Sequence, residues 1–288
     1  MSSRSSASRV RRVIAALPRS AAAWVLGLVA VGWSVPLILA LNASVKSEAE
    51  FTATSVWEPP QNFTLANFIQ SFIYMEFPLK VANSLVISFG ALALSLVIAI
   101  PVAYAITIGR HRWRTFVLAT CVVIFLMPQE AFAYPIFLVA KLVHMYGNVI
   151  FLIFPLGLSG AAFATFLLGM VMSRFPTSVV DAAEIDGASR WQTLTRVVLP
   201  MMTPSIVVVG LLLFIANWNE YLLTLLLLPD SSSMTVPLAV SMFNYGQMGG
   251  PPTTIVAAAS ILGAIPSLIV FLLFHRSLTR GITAGAID

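Results

Sequence analysis

Apolar residues run along this chain in long blocks, and the polar residues collect between them. A bilayer core about 30 Å thick takes roughly 20 residues of helix to cross. Six blocks reach that length, at about residues 21–41, 83–108, 115–139, 148–173, 203–228 and 253–274. Pro36, Pro101, Pro128, Pro135, Pro155 and Pro266 fall inside them. Neighbouring helices and water satisfy the carbonyls that proline frees, so kinks are expected rather than interruptions. The pattern predicts an all-α, polytopic membrane protein with six transmembrane helices. The first block follows arginines and precedes small residues near Ala40 and Ala43, as a cleaved signal would. It is longer than the roughly 7–15 apolar residues of a signal peptide, so a retained helix is expected.

Composition agrees with the pattern. Hydrophobic residues make up 59% of the 288 and charged residues 9%, where a soluble domain carries about 25% charged residues. One membrane domain over residues 21–288 is expected, preceded by a basic segment at 1–20. The basic residues lie at the ends of the apolar blocks. Thirteen fall on one side of the expected membrane: Arg4, Arg9, Arg11, Arg12, Arg19, Arg110, Arg112, Arg114, Arg174, Arg190, Arg196, Arg276 and Arg280. The other side has Lys46, Lys80 and Lys141. The positive-inside rule then puts both termini in the cytoplasm. The N-terminal arginines suit anionic lipid headgroups, and a nucleic-acid partner is not expected. The single cysteine, Cys121, allows neither an intramolecular disulfide nor a metal site.

On that topology residues 42–82 and 229–252 are external loops, and residues 174–202 are the long cytoplasmic one. The first external loop holds the turn formers Glu58, Pro59 and Pro60, then a short amphipathic piece at 65–69. The cytoplasmic loop reads as two short helices meeting at a corner. Asp181, Glu184 and Asp186 suit a helix start, where the dipole favours anions. Gly187 fits a left-handed C-cap. Ser189 fits an N-cap, with Gln192 as its capping-box partner. Leu194, Val197 and Val198 give the second helix an apolar face, and Pro200 is expected to end it. Such a pair either lies at the headgroups or docks a cytoplasmic partner.

The same stretch resembles the hallmark loop of permease subunits in bacterial ABC importers: Glu-Ala-Ala, three residues, Gly, nine residues, Ile, one residue, Leu-Pro. Ala182, Ala183, Gly187, Leu199 and Pro200 occupy the family positions, while Asp181 replaces the usual Glu and Val197 the usual Ile. Further segments are similar to the smaller permease of maltose and glycerol-3-phosphate importers. These are Phe63 to Phe68, Asn83-Ser84 at the opening of the second helix, Trp218-Asn219-Glu220-Tyr221-Leu222-Leu223, and the tail from Arg280 to Ala286. The resemblance covers about residues 20–288. It implies the type I importer permease fold in the cytoplasmic membrane of a bacterium. It implies a carbohydrate or related polar solute, and partners: a second, related permease, an ATPase dimer, and an extracytoplasmic solute-binding protein. Asp181, Ala182, Ala183, Glu184, Asp186, Gly187, Ala188, Leu199 and Pro200 would then couple the pore to the ATPase. The chain lacks the G-x-x-x-x-G-K-[ST] phosphate loop. No cofactor or catalysis is therefore expected on it, and ATP and Mg would sit on the ATPase.

Acids inside membrane spans are costly, by about 2.5–3.5 kcal/mol at the centre, and tend to mark sites or braces. Glu130 falls in the third block and Glu220 well inside the fifth, with Gln129, Asn217 and Asn219 able to share their networks. Either they line the pore and meet substrate or they brace helices. Phe125, Phe132, Tyr134 and Phe137 are expected to pack or face lipid rather than stack on a sugar. The small residues Ala259, Gly263 and Ser267, four apart, permit close helix packing. Two rival functions are open. A secondary transporter would work without partners. Gly157-Leu158-Ser159-Gly160 also fits the serine motif of rhomboid proteases, but no histidine is expected near the depth of Ser159.

Overall fold

The computed structural model describes residues 19–108, 112–245 and 252–284. Arg4, Arg9, Arg11, Arg12, Arg110, His111 and the tail residues Gly285 and Ala286 lie outside the described residues. All regular structure among those described is helical: α1 (Arg19–Ser44), α2 (Glu48–Ala53), α3 (Ala66–Tyr74), α4 (Phe77–Thr107), α5 (Arg114–Leu126), α6 (Gln129–Leu142), α7 (Ile153–Met172), α8 (Thr177–Ile185), α9 (Arg190–Thr193), α10 (Leu199–Trp218), α11 (Leu222–Leu227), α12 (Val236–Tyr245) and α13 (Thr253–Ala284). Five stretches are long and apolar enough to cross a membrane by themselves: Ala23–Ser44, Phe77–Thr107, Val149–Met172, Arg190–Trp218 and Thr253–Phe274. A sixth span is made if α5 and α6 are counted together; they meet at a 90° bend.

Three boundaries differ from the sequence expectation. The second span begins at Phe77, with proline in its first turn, so Asn83 and Ser84 sit well inside the helix. They are polar there because they hold a distant segment. Asn83 Nδ2 donates to Ser232 O at 2.8 Å and Met234 O at 3.0 Å, and Ser84 Oγ accepts from Val236 N at 2.9 Å. The third span is broken at Met127-Pro128 rather than kinked, both residues taking extended backbone. Proline disfavours the helical region for the residue before it. The fifth span is also broken. α10 ends at Trp218 and α11 starts at Leu222, which leaves Glu220 in the gap.

The chain forms two compact units. One comprises residues 19–71 and 252–261 among those described. Side chains tie its loop to the start of α13. Asn67 Nδ2 donates to Ser44 O (2.9 Å) and Lys46 O (2.7 Å), and Glu48 accepts from Thr254 N (3.3 Å) and Oγ1 (3.0 Å). Asn42 Nδ2 holds Val56 O and Glu58 O, each at 2.8 Å, on a turn at 55–58 that Glu58 closes and Pro59-Pro60 follow rather than form.

The other unit comprises residues 72–245 and 262–284 among those described. Its central seam is α4 against α7. Ala91, Ala99, Ala103 and Ala164 are wholly buried along it. Ser95 Oγ lies between Ala91 O (2.8 Å) and Gly157 O (2.9 Å), so one hydroxyl serves both helices. The approach is close enough that a Cβ on Gly157 would meet Leu94 Cδ2 at 2.6 Å, and one on Gly160 would collide with Ser95 Oγ. Small residues at such seams let backbones approach in a solvent where dispersion, not water exclusion, holds helices together. Gly160→Leu is expected to lower the melting temperature of the detergent-solubilised protein, since overpacking costs about 1–3 kcal/mol. Gly27→Leu, where a Cβ meets nothing within 4 Å, is the control and should leave it unchanged. Gly263 is likewise structural: Trp218 Nε1 donates to its carbonyl at 3.2 Å, and Val236 Cγ1 lies 3.0 Å from where its Cβ would be.

Candidate functional site

Two places in the second unit hold the residues singled out from the sequence. The first is the corner between α8 and α9. Helix α8 starts at Thr177 behind an extended Pro176, so Asp181 and Glu184 lie in its middle and last turn, not at its start. The reason is local: proline in front of Thr177 sets the boundary four residues before the first acid. The helix ends in a Schellman motif. Gly187 has φ +77°, its N–H donates to Glu184 O at 3.1 Å, and Ala188 N donates to Ala183 O at 3.0 Å. Ser189 then caps α9 in a complete capping box. Gln192 N donates to Ser189 Oγ at 3.3 Å, and Ser189 N donates to Gln192 Oε1 at 2.8 Å.

Pro200 does not end this helix. A π-helical turn, Leu194–Val198, joins α9 to α10, and proline falls in the first turn of α10. Leu199 N reaches back five residues to Leu194 O. The wider turn loosens the ladder just where proline removes a donor and crowds the carbonyl four residues before it. The corner is anchored by Leu194 and Val198, which are buried with Tyr104, Leu168 and Met172 from α4 and α7. Of the two alanines, Ala183 is buried and Ala182 is exposed. Asp181, Glu184, Asp186 and Gly187 are exposed, and Ala188 and Leu199 are half-buried. Ile185 and Trp191 are exposed at 86% and 67%. A corner rigid in its backbone thus presents two large apolar side chains among charges.

The second place is a cavity of about 920 Å³ beside both helix breaks. Its walls are mostly apolar and include Phe125, Phe132, Phe151, Phe154 and Phe163. Phe125 stacks on Phe163 with ring centroids 4.7 Å apart, so it is packed as expected yet also lines the space. Tyr134 and Phe137 stack on each other at 6.5 Å and do not line it. The polar lining residues are Gln129, Ser159, Asn217 and Glu220. Glu220 Oε1 accepts from Leu223 N at 2.8 Å, a donor freed by the break, and Oε2 accepts from Gln129 Nε2 at 2.9 Å. The carboxylate therefore joins α6 to the start of α11. Asn217 is only 9% exposed, and its Nδ2 finds no acceptor among the described residues. Asn219 Nδ2 is occupied by Ile215 O at 2.8 Å, and Glu130 is exposed; neither lines the cavity. Ser159 Oγ donates to Leu156 O at 3.1 Å. His111 and the side chain of His275 lie outside the described residues. The sequence points to Asn217 and Glu220 as candidate pore residues and to Gln129 as their network partner, but carries no signal for Ser159 as a lining residue.

Permeases from other organisms are similar to this chain along most of its length. A 252-residue match at 27% identity, spanning 88% of each chain, is to the sulfoquinovosyl glycerol transport system permease protein SmoH of Agrobacterium fabrum. The trehalose/maltose transport system permease protein MalG of Thermococcus litoralis is 29% identical over 90% of this chain and 93% of its own. A putative ABC transporter permease of Streptomyces antibioticus is 32% identical over 79% of this chain and 99% of its own. The fold is that of a chain in the crystal structure of a bacterial ABC transporter that imports alginate. The TM-score is 0.77 at 22% identity, covering 90% of this chain and 98% of that one. The family model for the binding-protein-dependent transport system inner membrane component matches residues 95–283 and so takes in both places described above. Well over half of the sequence is covered, and the chain belongs to that family of multi-pass ABC importer permeases, a non-catalytic class of subunit.

Proposed function

We propose that this chain forms half of the translocation pore of an ATP-driven importer for a carbohydrate or related polar solute. A second, related permease supplies the other half. ATP and Mg are bound by a separate ATPase dimer, and a solute-binding protein delivers the cargo on the far side. Both termini, including the basic segment 1–20, face the ATPase side, and residues 21–288 act as one membrane domain. The observation that carries this reading is the corner at 181–200. Its backbone geometry is fixed by a Schellman motif and a capping box, its inner face is sewn to the ends of α4 and α7, and its outer face offers Ile185 and Trp191. A rigid knob can transmit the displacement of a docked ATPase into the spans it is packed against. Alternating access then follows from contacts that differ between two states of the assembly. The carbohydrate class is supported by the relatives that transport sulfoquinovosyl glycerol and trehalose or maltose.

The test is a gentle detergent pull-down of the chain from its native membrane, with each co-purifying protein identified. An ATPase with a phosphate loop, together with a second six-span permease, is the expected result. A chain that comes out alone, and moves solute in liposomes without ATP, overturns the reading in favour of a secondary transporter.

A further inference from the structure

Asn217 is a buried amide donor without an acceptor among the described residues, in the wall of a cavity roomy enough for a solute. A buried donor left without an acceptor is costly and rare, so an orphan of this kind calls for an explanation. Its neighbours do not supply one. Glu220 accepts from Leu223 N and Gln129 Nε2, and Ser159 donates to its own helix; both keep lone pairs, but neither accepts from Asn217 Nδ2. Binding pockets of about 300–1,000 Å³ are mostly apolar, with a few convergent polar groups that orient the ligand. This one fits that description: five phenylalanines are in the wall, and Gln129, Asn217 and Glu220 sit at or beside the two helix breaks.

Resting on the importer reading, we propose that this cavity is a solute subsite carried by this chain itself. In it Asn217 donates to an oxygen of a sugar ring whose apolar face lies against the phenylalanines. A polyol is the chemistry that satisfies both demands. It brings hydroxyl oxygens to an unpaired N–H, and its C–H face needs no hydrogen bonds from Phe132 or Phe154. Glu220 and Gln129 act as positioning residues: they hold the break open at the place where Asn217 lies.

The experiment uses the whole complex purified from its native membrane. Cys121, the sole cysteine, is replaced by alanine, and Ala216, an exposed lining residue, by cysteine. Labelling with N-ethylmaleimide is followed in the presence of trehalose, maltose and sulfoquinovosyl glycerol. Protection by at least one of these is expected. Asn217→Leu, which keeps the bulk and removes the donor, should raise the half-protecting concentration tenfold or more. Asn217→Asp, which exchanges donor for acceptor, should do the same if the leucine variant fails to assemble. Unchanged protection in both variants overturns the subsite, as does absence of protection by any of the three sugars. In either case a complex that still contains its ATPase and hydrolyses ATP leaves the importer reading standing. A chain that purifies with no ATPase removes both.

Discussion

Gly187→Arg is expected to reach the membrane at normal level and to abolish uptake. The argument has two parts. At φ +77° an L-residue pays roughly 1–2 kcal/mol in the left-handed region, and a Cβ there meets nothing within 4 Å. The cost is thus backbone strain without a clash, too little to stop the apolar spans from inserting. It is enough to reopen the Schellman turn, whose two hydrogen bonds set the angle between α8 and α9. A long cation on the exposed corner also keeps a docked partner at a distance. Graded substitutions separate the two effects. Gly187→Asn should retain most activity because asparagine tolerates this conformation. Gly187→Ala should fall between, carrying strain without bulk. The measurement is uptake of the solute that the co-purifying binding protein carries, alongside the ATPase activity of the purified complex. Normal uptake by the arginine variant would sink the coupling role of the corner.

The corner was legible because its determinants are close in sequence. Gly187, Ser189 and Gln192 act on backbone groups within five residues of themselves, so type and spacing were sufficient. The spans were legible for a related reason: apolar length is a property of the segment itself. For the fourth, Asn148 caps the first turn through Ile150 N at 2.8 Å, and the expected start at 148 holds. Part of what failed depended on distant partners. Lys80, Asn83 and Ser84 look like the polar edge of a span, but they are buried or half-buried and bond to backbone about 150 residues away. The break at Glu220 carries neither glycine nor proline, and its partner Gln129 is 91 positions away. Pro200 misled in the opposite sense. The residue type argues for an end, and only the preceding π turn shows how the helix continues through it.

Glu220→Leu is expected to cripple the protein where Glu220→Gln does not, because the carboxylate's work here is to accept hydrogen bonds. Leucine leaves Leu223 N and the Gln129 amide without their partner at a break between two helices. The partly buried Leu223 N, where water replaces the acceptor poorly, costs about 1–3 kcal/mol, and the exposed Gln129 amide adds less. At about 2–4 °C per kcal/mol for a chain of this order, the leucine variant should melt several degrees lower in detergent and lose transport. Glutamine keeps a carbonyl oxygen for one of the donors and removes a charge that is expensive in a membrane. It should melt within a couple of degrees of the parent and retain most uptake. Gln129→Leu should cost less by itself and add little on top of Glu220→Leu, because the two residues share one bond and contacting sites are non-additive. Equal loss of uptake in the leucine and glutamine variants, with both melting like the parent, would assign the charge itself to solute recognition and remove the brace.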